Sequence, residues 1–316
     1  MRVPADATLA DIGEFGLVDA LSGIYAQSER VLVGPGDDAA VVSFPDGRVM
    51  VSTDVLVESR HFRRDWADAL DIGHRVAAAN LSDVNAMGGR AVALTVGLGA
   101  PPSLPVAWAM DLARGIAEES ALVGASVVGG DLTAADQVVV SVAVLGEGSG
   151  PPVLRSGARP GDVVAIAGRQ GWAAGGLAVL TRGFRSPRAL VEAYRRPQPP
   201  YDAGPEAAAA GATAMIDVSD GLLADVGHLA RASGVAVELA SDRFKVAEPL
   251  HAVGAALGAD PLGFVLTGGD DHSLVATFVA GSSLPAGWRL VGEVREGEGV
   301  TVDGVPSQGP GGHTHF

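Results

Sequence analysis

Apolar and polar residues alternate along this chain in two periods, and the changes of period lay out its elements. Val-rich runs at 48–53, 91–98, 126–129, 138–145 and 163–167, bounded by Gly, Asp or Pro, predict strands. Between them, about Asp71 to Met87 and about Val106 to Val123 carry apolar residues every three to four positions, which predicts helices. In the second of these, Met110, Leu112, Ala113, Ile116 and Ala117 form one stripe. A further strand is predicted over 39–43, and Leu9, Ile12, Phe15, Leu17 and Leu21 open the chain at roughly helical spacing. Composition breaks at Gly146-Glu147-Gly148-Ser149-Gly150-Pro151-Pro152, which predicts a boundary between domains 1–148 and 149–316. Beyond it, Trp172–Leu180, Glu206–Ala210, Leu222–Ala232 and Pro249–Leu257 are predicted as helices. Thr213–Ile216, Val235–Leu239, Phe264–Leu266, Leu274–Phe278 and Leu290–Val294 are predicted as strands. Both halves mix the two without a regular parallel array, so the fold class is α+β.

Several of these apolar runs end in carboxylates. Gly36-Asp37-Asp38-Ala39-Ala40 follows a Gly34-Pro35 turn, and Ser52-Thr53-Asp54 ends the next run. Asn80-Leu81-Ser82-Asp83 lies in the first predicted helix, where Asn80, Asp83 and Met87 share a face. A carboxylate on a face otherwise made of Ala, Val and Leu is costly unless paired or bound to a cation. Gly129-Gly130-Asp131, Asp217-Val218-Ser219-Asp220-Gly221 and Thr267-Gly268-Gly269-Asp270-Asp271 repeat the theme. Each corner alone reads equally as a turn or a helix cap, and Asp220 is placed to cap the helix that follows it. Together they gather hard oxygen donors of the kind Mg²⁺ takes.

Charge and composition narrow the chemistry. The 316 residues carry a net charge of −15, which argues against nonspecific nucleic-acid binding. Lys245 is the only lysine and has no glycine frame, which removes the Walker-type phosphate loop and the protein-kinase lysine. With no cysteine there is no disulfide framework, zinc-thiolate site or catalytic thiol. Hydrophobic content of 47% with mean hydropathy +0.28 excludes a largely disordered chain. The apolar runs are too short to span a membrane, and the N-terminus shows no secretion signal, so a cytoplasmic location is expected.

In order, Gly36–Ala40, Ser52–Asp54, Asn80–Asp83, Gly129–Asp131, Arg155-Ser156-Gly157-Ala158-Arg159-Pro160-Gly161-Asp162, Ile216–Leu222 and Gly268–Asp271 resemble the thiamine-monophosphate kinase family. That family lies in the superfamily of aminoimidazole ribonucleotide synthetase, selenophosphate synthetase and the hydrogenase-maturation dehydratase. The resemblance covers almost the whole chain and extends to Gly13-Glu14-Phe15 and the ending His313 to Phe316. It implies the two-domain aminoimidazole ribonucleotide synthetase-like architecture. An N-terminal α/β domain with a mixed sheet would bind ATP and Mg²⁺ and pair with its copy in a homodimer. A C-terminal α+β domain would complete the active-site cleft.

The resemblance further implies ATP-dependent phosphorylation of thiamine monophosphate to thiamine diphosphate, by direct in-line transfer assisted by several Mg²⁺ ions and with no residue phosphorylated. By motif match the metal candidates are Asp38, Ser52, Thr53, Asp54, Asp83, Asp131, Asp217 and Asp220. Gly130, Asp131, Arg155 and Ser219 would face ATP, and His61, Asp270 and Phe316 the thiamine phosphate. The chain departs from the family at Asp270-Asp271-His272-Ser273, where Glu followed by Asp-Tyr-Glu is usual. It departs again at Pro200, where Arg is expected, and at Pro310 or His313, where an aromatic residue is expected. The competing readings are a sibling ATP-using enzyme acting on another small molecule and a non-catalytic nucleotide- and Mg²⁺-binding protein. The missing cysteine disfavours selenophosphate synthetase and the hydrogenase-maturation enzyme.

Overall fold

The structure, a computed structural model, describes residues 7–34, 40–307 and 311–313. The chain forms two compact units, Met1–Val84 with Arg90–Glu147, and Asn85–Gly89 with Gly148–Phe316. The short excursion at Asn85–Gly89 has a polar cause. Asn85 donates to the Pro200 carbonyl at 3.0 Å and accepts from the Gly204 N–H at 3.0 Å, and the Met87 carbonyl accepts from Val153 N–H at 3.0 Å.

The first unit runs α1 (Leu9–Ser22), β1 (Val31–Val33), β2 (Val41–Val42), β3 (Met50–Val57), α2 (Ala69–Ala86), β4 (Arg90–Ala100), α3 (Val106–Ala121), β5 (Ser126–Ala134) and β6 (Val139–Glu147). Strands β1 and β2 form a small antiparallel pair, and the main sheet has the order β3-β6-β4-β5. Its strands are antiparallel except for β4 with β5. The sheet is therefore mixed. Alternation in β6 buries Val140, Val142 and Val144 and leaves 139, 141, 143 and 145 half-buried, as period 2 demands of a sheet with one closed face. Helices α2 and α3 cross where Gly73 meets Gly115; a Cβ on Gly73 would lie 2.2 Å from the Leu112 carbonyl oxygen. In α1, Gly13 breaks the helix with φ +65°.

The second unit contains β7 (Val163–Ala167), α4 (Trp172–Thr181), α5 (Arg188–Arg195), α6 (Ala203–Ala209), β8 (Ala214–Val218), α7 (Leu222–Ser233), β9 (Ala236–Leu239), a short 3₁₀ turn at Ser241–Arg243, α8 (Glu248–Leu257) and α9 (Pro261–Thr267). It ends with β10 (Ser273–Phe278), β11 (Arg289–Arg295), β12 (Gly299–Val302) and β13 (Val305–Pro306). Seven strands form one sheet, β13-β12-β9-β11-β7-β10-β8, in which β9 and β12 alone are parallel neighbours. β8 lies at its edge, paired with β10 so that Asp217 stands opposite Leu274.

Two expectations change. Phe264–Leu266 is helical, inside α9. Asp260 accepts the Leu262 N–H at 3.0 Å and Pro261 takes the first turn, so capping chemistry overrides a short apolar run. Gly129-Gly130-Asp131 does not turn at a strand end but runs within β5, paired in parallel with Thr95, Val96 and Gly97. The strand continues because β4 is eleven residues long and offers it a ladder to Ala134. Among the described residues no single helix is long and apolar enough to cross a membrane.

Candidate functional site

In the first unit the strand period of β3 sends Ser52 and Asp54 to one face and Thr53 to the other. The first face meets α2. The Ser52 hydroxyl donates to Asp83 Oδ2 at 2.5 Å, and the Asp54 backbone N–H donates to Asn80 Oδ1 at 3.1 Å. Asn80 is fully buried and also donates to the Val76 carbonyl one turn back, so it locks the helix to the strand. Thr53 spends its hydroxyl on the Val142 carbonyl of β6 at 2.9 Å. Asp131 is exposed on β5, the opposite edge of the sheet. Register runs from Ser52 through Val144 and Leu94 to Val127, and Asp131 stands four residues farther along. Three strand steps alone span about 14 Å. Ser52–Asp83 and Asp131 therefore cannot ligate the same ion within one copy of the chain.

Gly130 earns its place inside the sheet: a Cβ there would lie 2.0 Å from the Val96 carbonyl oxygen, whereas Gly129 has open space. His61 sits in a turn after β3, where its Nδ1 accepts the Val57 N–H at 3.0 Å, so the neutral ring carries its proton on Nε2. Asp37 and Asp38, with Gly36, lie outside the described residues, as does Phe316.

The second unit builds its corner from loops. Asp217 is the next-to-last residue of β8 and is buried, with Oδ2 3.2 Å from His272 Nδ1. Ser219 and Asp220 follow in the turn into α7, Ser219 exposed and Asp220 half-buried. Two further backbone segments lie against that turn. Asp270 N–H donates to the Ser219 carbonyl, and His313 N–H to the Asp220 carbonyl, both at 2.9 Å. Close approach is possible because glycines line it: a Cβ on Gly269 would lie 2.0 Å from the Ser219 carbonyl oxygen, and one on Gly312 would lie 2.5 Å from that of Asp220. Asp270 and Ser219 are thereby neighbours. Exposed Arg155 lies in a separate loop pinned to the end of α7, where Ser233 Oγ accepts from the Gly157 and Ala158 N–H groups and donates to the Arg155 carbonyl.

The cap of α7 differs from expectation. Asp220 does not cap it with its side chain; Gly221 is the N-cap, and buried Asp225 reaches back to accept the N–H groups of Asp220 and Gly221 at 3.1 and 3.0 Å. Gly221 itself takes φ +146°, and a Cβ there would lie 2.6 Å from the Thr267 carbonyl oxygen. Burial, with help from Asp217 and Asp220, pushes the Asp225 carboxyl up to about 7 against the pull of the Gly221 amide. Asp271 plays the same part for α4, whose N-cap Gly171 has no side chain. Its two oxygens accept the Trp172 and Ala173 N–H groups at 2.8 and 3.0 Å. Burial outweighs those bonds and nearby Arg169, and the carboxyl rises to about 7. The sequence reading missed Asp225 as a cap. Its place in the first turn after Asp220-Gly221 was the available signal. Nothing local marked Asp271 as the cap of a helix about a hundred residues earlier.

Residues 36–147 match the family described as AIR synthase related protein, N-terminal domain, and residues 159–303 match AIR synthase related protein, C-terminal domain. The chain is 48% identical over 316 residues to the thiamine-monophosphate kinase of Mycobacterium tuberculosis, covering 98% of this chain and 93% of that protein. The chain belongs to the thiamine-monophosphate kinase family. As a member it is an enzyme of the kinase class. The family's solved structures agree. The AaThiL structure complexed with AMPPCP and TMP superimposes with a TM-score of 0.82 at 32% identity, covering 100% of this chain and 99% of that one. The family member from Stenotrophomonas maltophilia K279a does so with a TM-score of 0.82 at 30% identity, covering 94% and 98%.

The donors present fit the Mg²⁺ that the thiamine-monophosphate kinase family implies. They are hydroxyl and carboxylate oxygens, with no thiolate anywhere in the chain. Among the described residues no three His, Asp or Glu side chains converge into a metal cluster.

Proposed function

We propose that this chain transfers the γ-phosphoryl group of ATP to the phosphate of thiamine monophosphate, forming thiamine diphosphate and ADP by direct in-line displacement. The likeness to AaThiL carries this reading, because it spans the whole chain and that protein is complexed with AMPPCP and TMP, a donor analogue together with an acceptor. An acceptor phosphate oxygen attacks the γ-phosphorus while the bond to the oxygen bridging to the β-phosphorus breaks, and the electron pair leaves with ADP. A phosphate monoester is already largely ionised near neutral pH, its second pKa being about 6, so no side chain has to remove a proton. No residue is phosphorylated.

Bound Mg²⁺ would supply charge neutralisation and alignment of the two phosphate groups. Its candidate holders are Asp38, Ser52, Thr53, Asp54, Asp83, Asp131, Asp217 and Asp220. The separation of Ser52–Asp83 from Asp131 supports more than one ion, and the Thr53 hydroxyl would have to leave the Val142 carbonyl to take part. The nucleotide falls to Gly130, Asp131, Arg155 and Ser219, with the Arg155 guanidinium suited to a bidentate phosphate contact. The acceptor falls to His61, which presents Nε2–H, and to Asp270 and Phe316. Exposed Val51 and Val55 on the open face of β3, at 69% and 47%, support pairing of two copies of the first unit in a homodimer. The absence of cysteine agrees with a reducing, cytoplasmic setting.

ADP release by purified protein with ATP, Mg²⁺ and thiamine monophosphate tests this directly. The expected result is release dependent on thiamine monophosphate, with thiamine diphosphate as product and no turnover on free thiamine. Turnover on an aminoimidazole precursor instead, or nucleotide binding without turnover, would overturn it.

A further inference from the structure

We infer that His272 is the positioning residue of Asp217, holding its carboxylate in the orientation that takes a cation. Four observations converge on this side chain. His272 is 5% exposed and Asp217 4%, so neither is held by bulk water. The ring Nδ1 lies 3.2 Å from Asp217 Oδ2, and an ionised carboxylate only accepts, so Nδ1 carries the proton and the tautomer is set by the contact. His272 has φ +49° and Asp270 φ +63°, two non-glycine residues in the left-handed region within three positions. Such strain persists where the surroundings over-determine it. They do so here: His272 N–H donates to the Val218 carbonyl at 3.2 Å, Asp270 N–H to the Ser219 carbonyl, and Asp271 between them is tied to α4. The backbone is thus turned the unfavourable way at His272, and the result is an imidazole aimed at the last carboxylate of β8.

A donor fixed behind a ligating carboxylate orients it and tunes its affinity, and the loss of such a partner typically weakens metal binding about 10–100-fold. The inference rests on the reading that Asp217 holds Mg²⁺. Within it, His272 touches neither substrate nor cation; it acts through Asp217. Asn tolerates the left-handed region and places an N–H donor near the position of Nδ1, whereas Gln carries its donor one carbon farther out.

The test is a Mn²⁺ titration of the full chain in the presence of AMPPCP, with free Mn²⁺ read by electron paramagnetic resonance, alongside thermal midpoints measured without metal. His272→Gln and His272→Phe are expected to weaken Mn²⁺ binding about 10–100-fold. His272→Asn is expected to hold Mn²⁺ binding to within about 3-fold of the parent, and its thermal midpoint to fall less than that of His272→Gln because Asn tolerates the left-handed backbone at this position. Asp217→Asn separates the two levels of the argument. If Asp217→Asn leaves Mn²⁺ binding unchanged, the metal role of Asp217 fails and this inference with it. If Asp217→Asn weakens binding while the His272 variants do not, the inference alone fails. Equal weakening in Asn, Gln and Phe variants, tracking their loss of thermal stability, would make His272 a packing residue and overturn it as well.

Discussion

In the first unit Asp83 reaches Ser52 because a regular strand faces a regular helix; in the second, Asp217 reaches His272 because irregular loops are pressed together backbone to backbone. The first arrangement needs only period: Ser52 and Asp54 alternate with Thr53, and Asn80 and Asp83 are one turn apart. The second needs Gly269 and Gly312 to give up their side chains, Asp270 and His272 to adopt positive φ, and Asp225 and Asp271 to serve buried as caps. The helix-and-strand corner should therefore tolerate backbone changes and be sensitive only in its ligands. The loop corner should be sensitive in its scaffold.

The largest effect expected is on turnover. Asp83→Asn and Asp131→Asn keep shape but remove charge, and kcat/KM for thiamine monophosphate should fall at least about 10–100-fold with little change in thermal midpoint. Near-parental kcat/KM in both would remove the first unit's corner from the chemistry and break the comparison at its root. Next comes the scaffold of the second corner. Gly269→Ala forces a Cβ to within 2.0 Å of the Ser219 carbonyl oxygen, and denaturant titration should show about 1–3 kcal/mol of lost stability. A neutral result there would mean that the loops separate easily.

The third expectation concerns pH. The Asp271 carboxyl is raised to about 7 in the folded chain from an ordinary 3.8, chiefly by burial. The folded state thus holds the proton more tightly than the unfolded one, so this contribution is complete below about 4 and is lost as pH rises through about 7. Asp271→Asn, neutral throughout, should flatten the fall of thermal midpoint between pH 4.5 and 7.5. An unchanged slope would show that the charge on Asp271 is fully compensated by the α4 amides and Arg169. The smallest effect belongs to Gly129→Ala in β5, where nothing lies within 4 Å of a new Cβ. Stability should change by no more than about 1 kcal/mol, and favourably if anything. A loss as large as that from Gly269→Ala would erase the contrast between the first unit's regular sheet and the loop corner of the second.

How much was legible follows the same division. Helices α2, α3, α7 and α8 and strands β4, β6, β7 and β10 stand close to where the apolar periods placed them, because each buries one stripe or face against a core. α9 was misread because three apolar residues satisfy either period, and only the Asp260 cap decides. At Gly129–Asp131 the glycines suggested a strand end, whereas Gly130 meets a neighbouring strand so closely that only glycine fits. The sequence places Asp220 to cap α7, but the N-cap is Gly221, and Asp225 takes the Asp220 and Gly221 N–H groups.

By itself the amino-acid order determined the α+β class, the exclusion of thiol and lysine phosphate-loop chemistry, and the recurrence of carboxylates at the ends of apolar runs. These depend on composition and on neighbours within a few residues. The tertiary structure alone decided that the Thr53 hydroxyl is taken by the Val142 carbonyl, that Asp131 stands about 14 Å or more from the Ser52–Asp83 pair, that Asp271 caps α4 and that His272 backs Asp217. Each of those pairings joins positions 55 to 99 residues apart. Strand registers and loop contacts set such distances, and local sequence does not encode them.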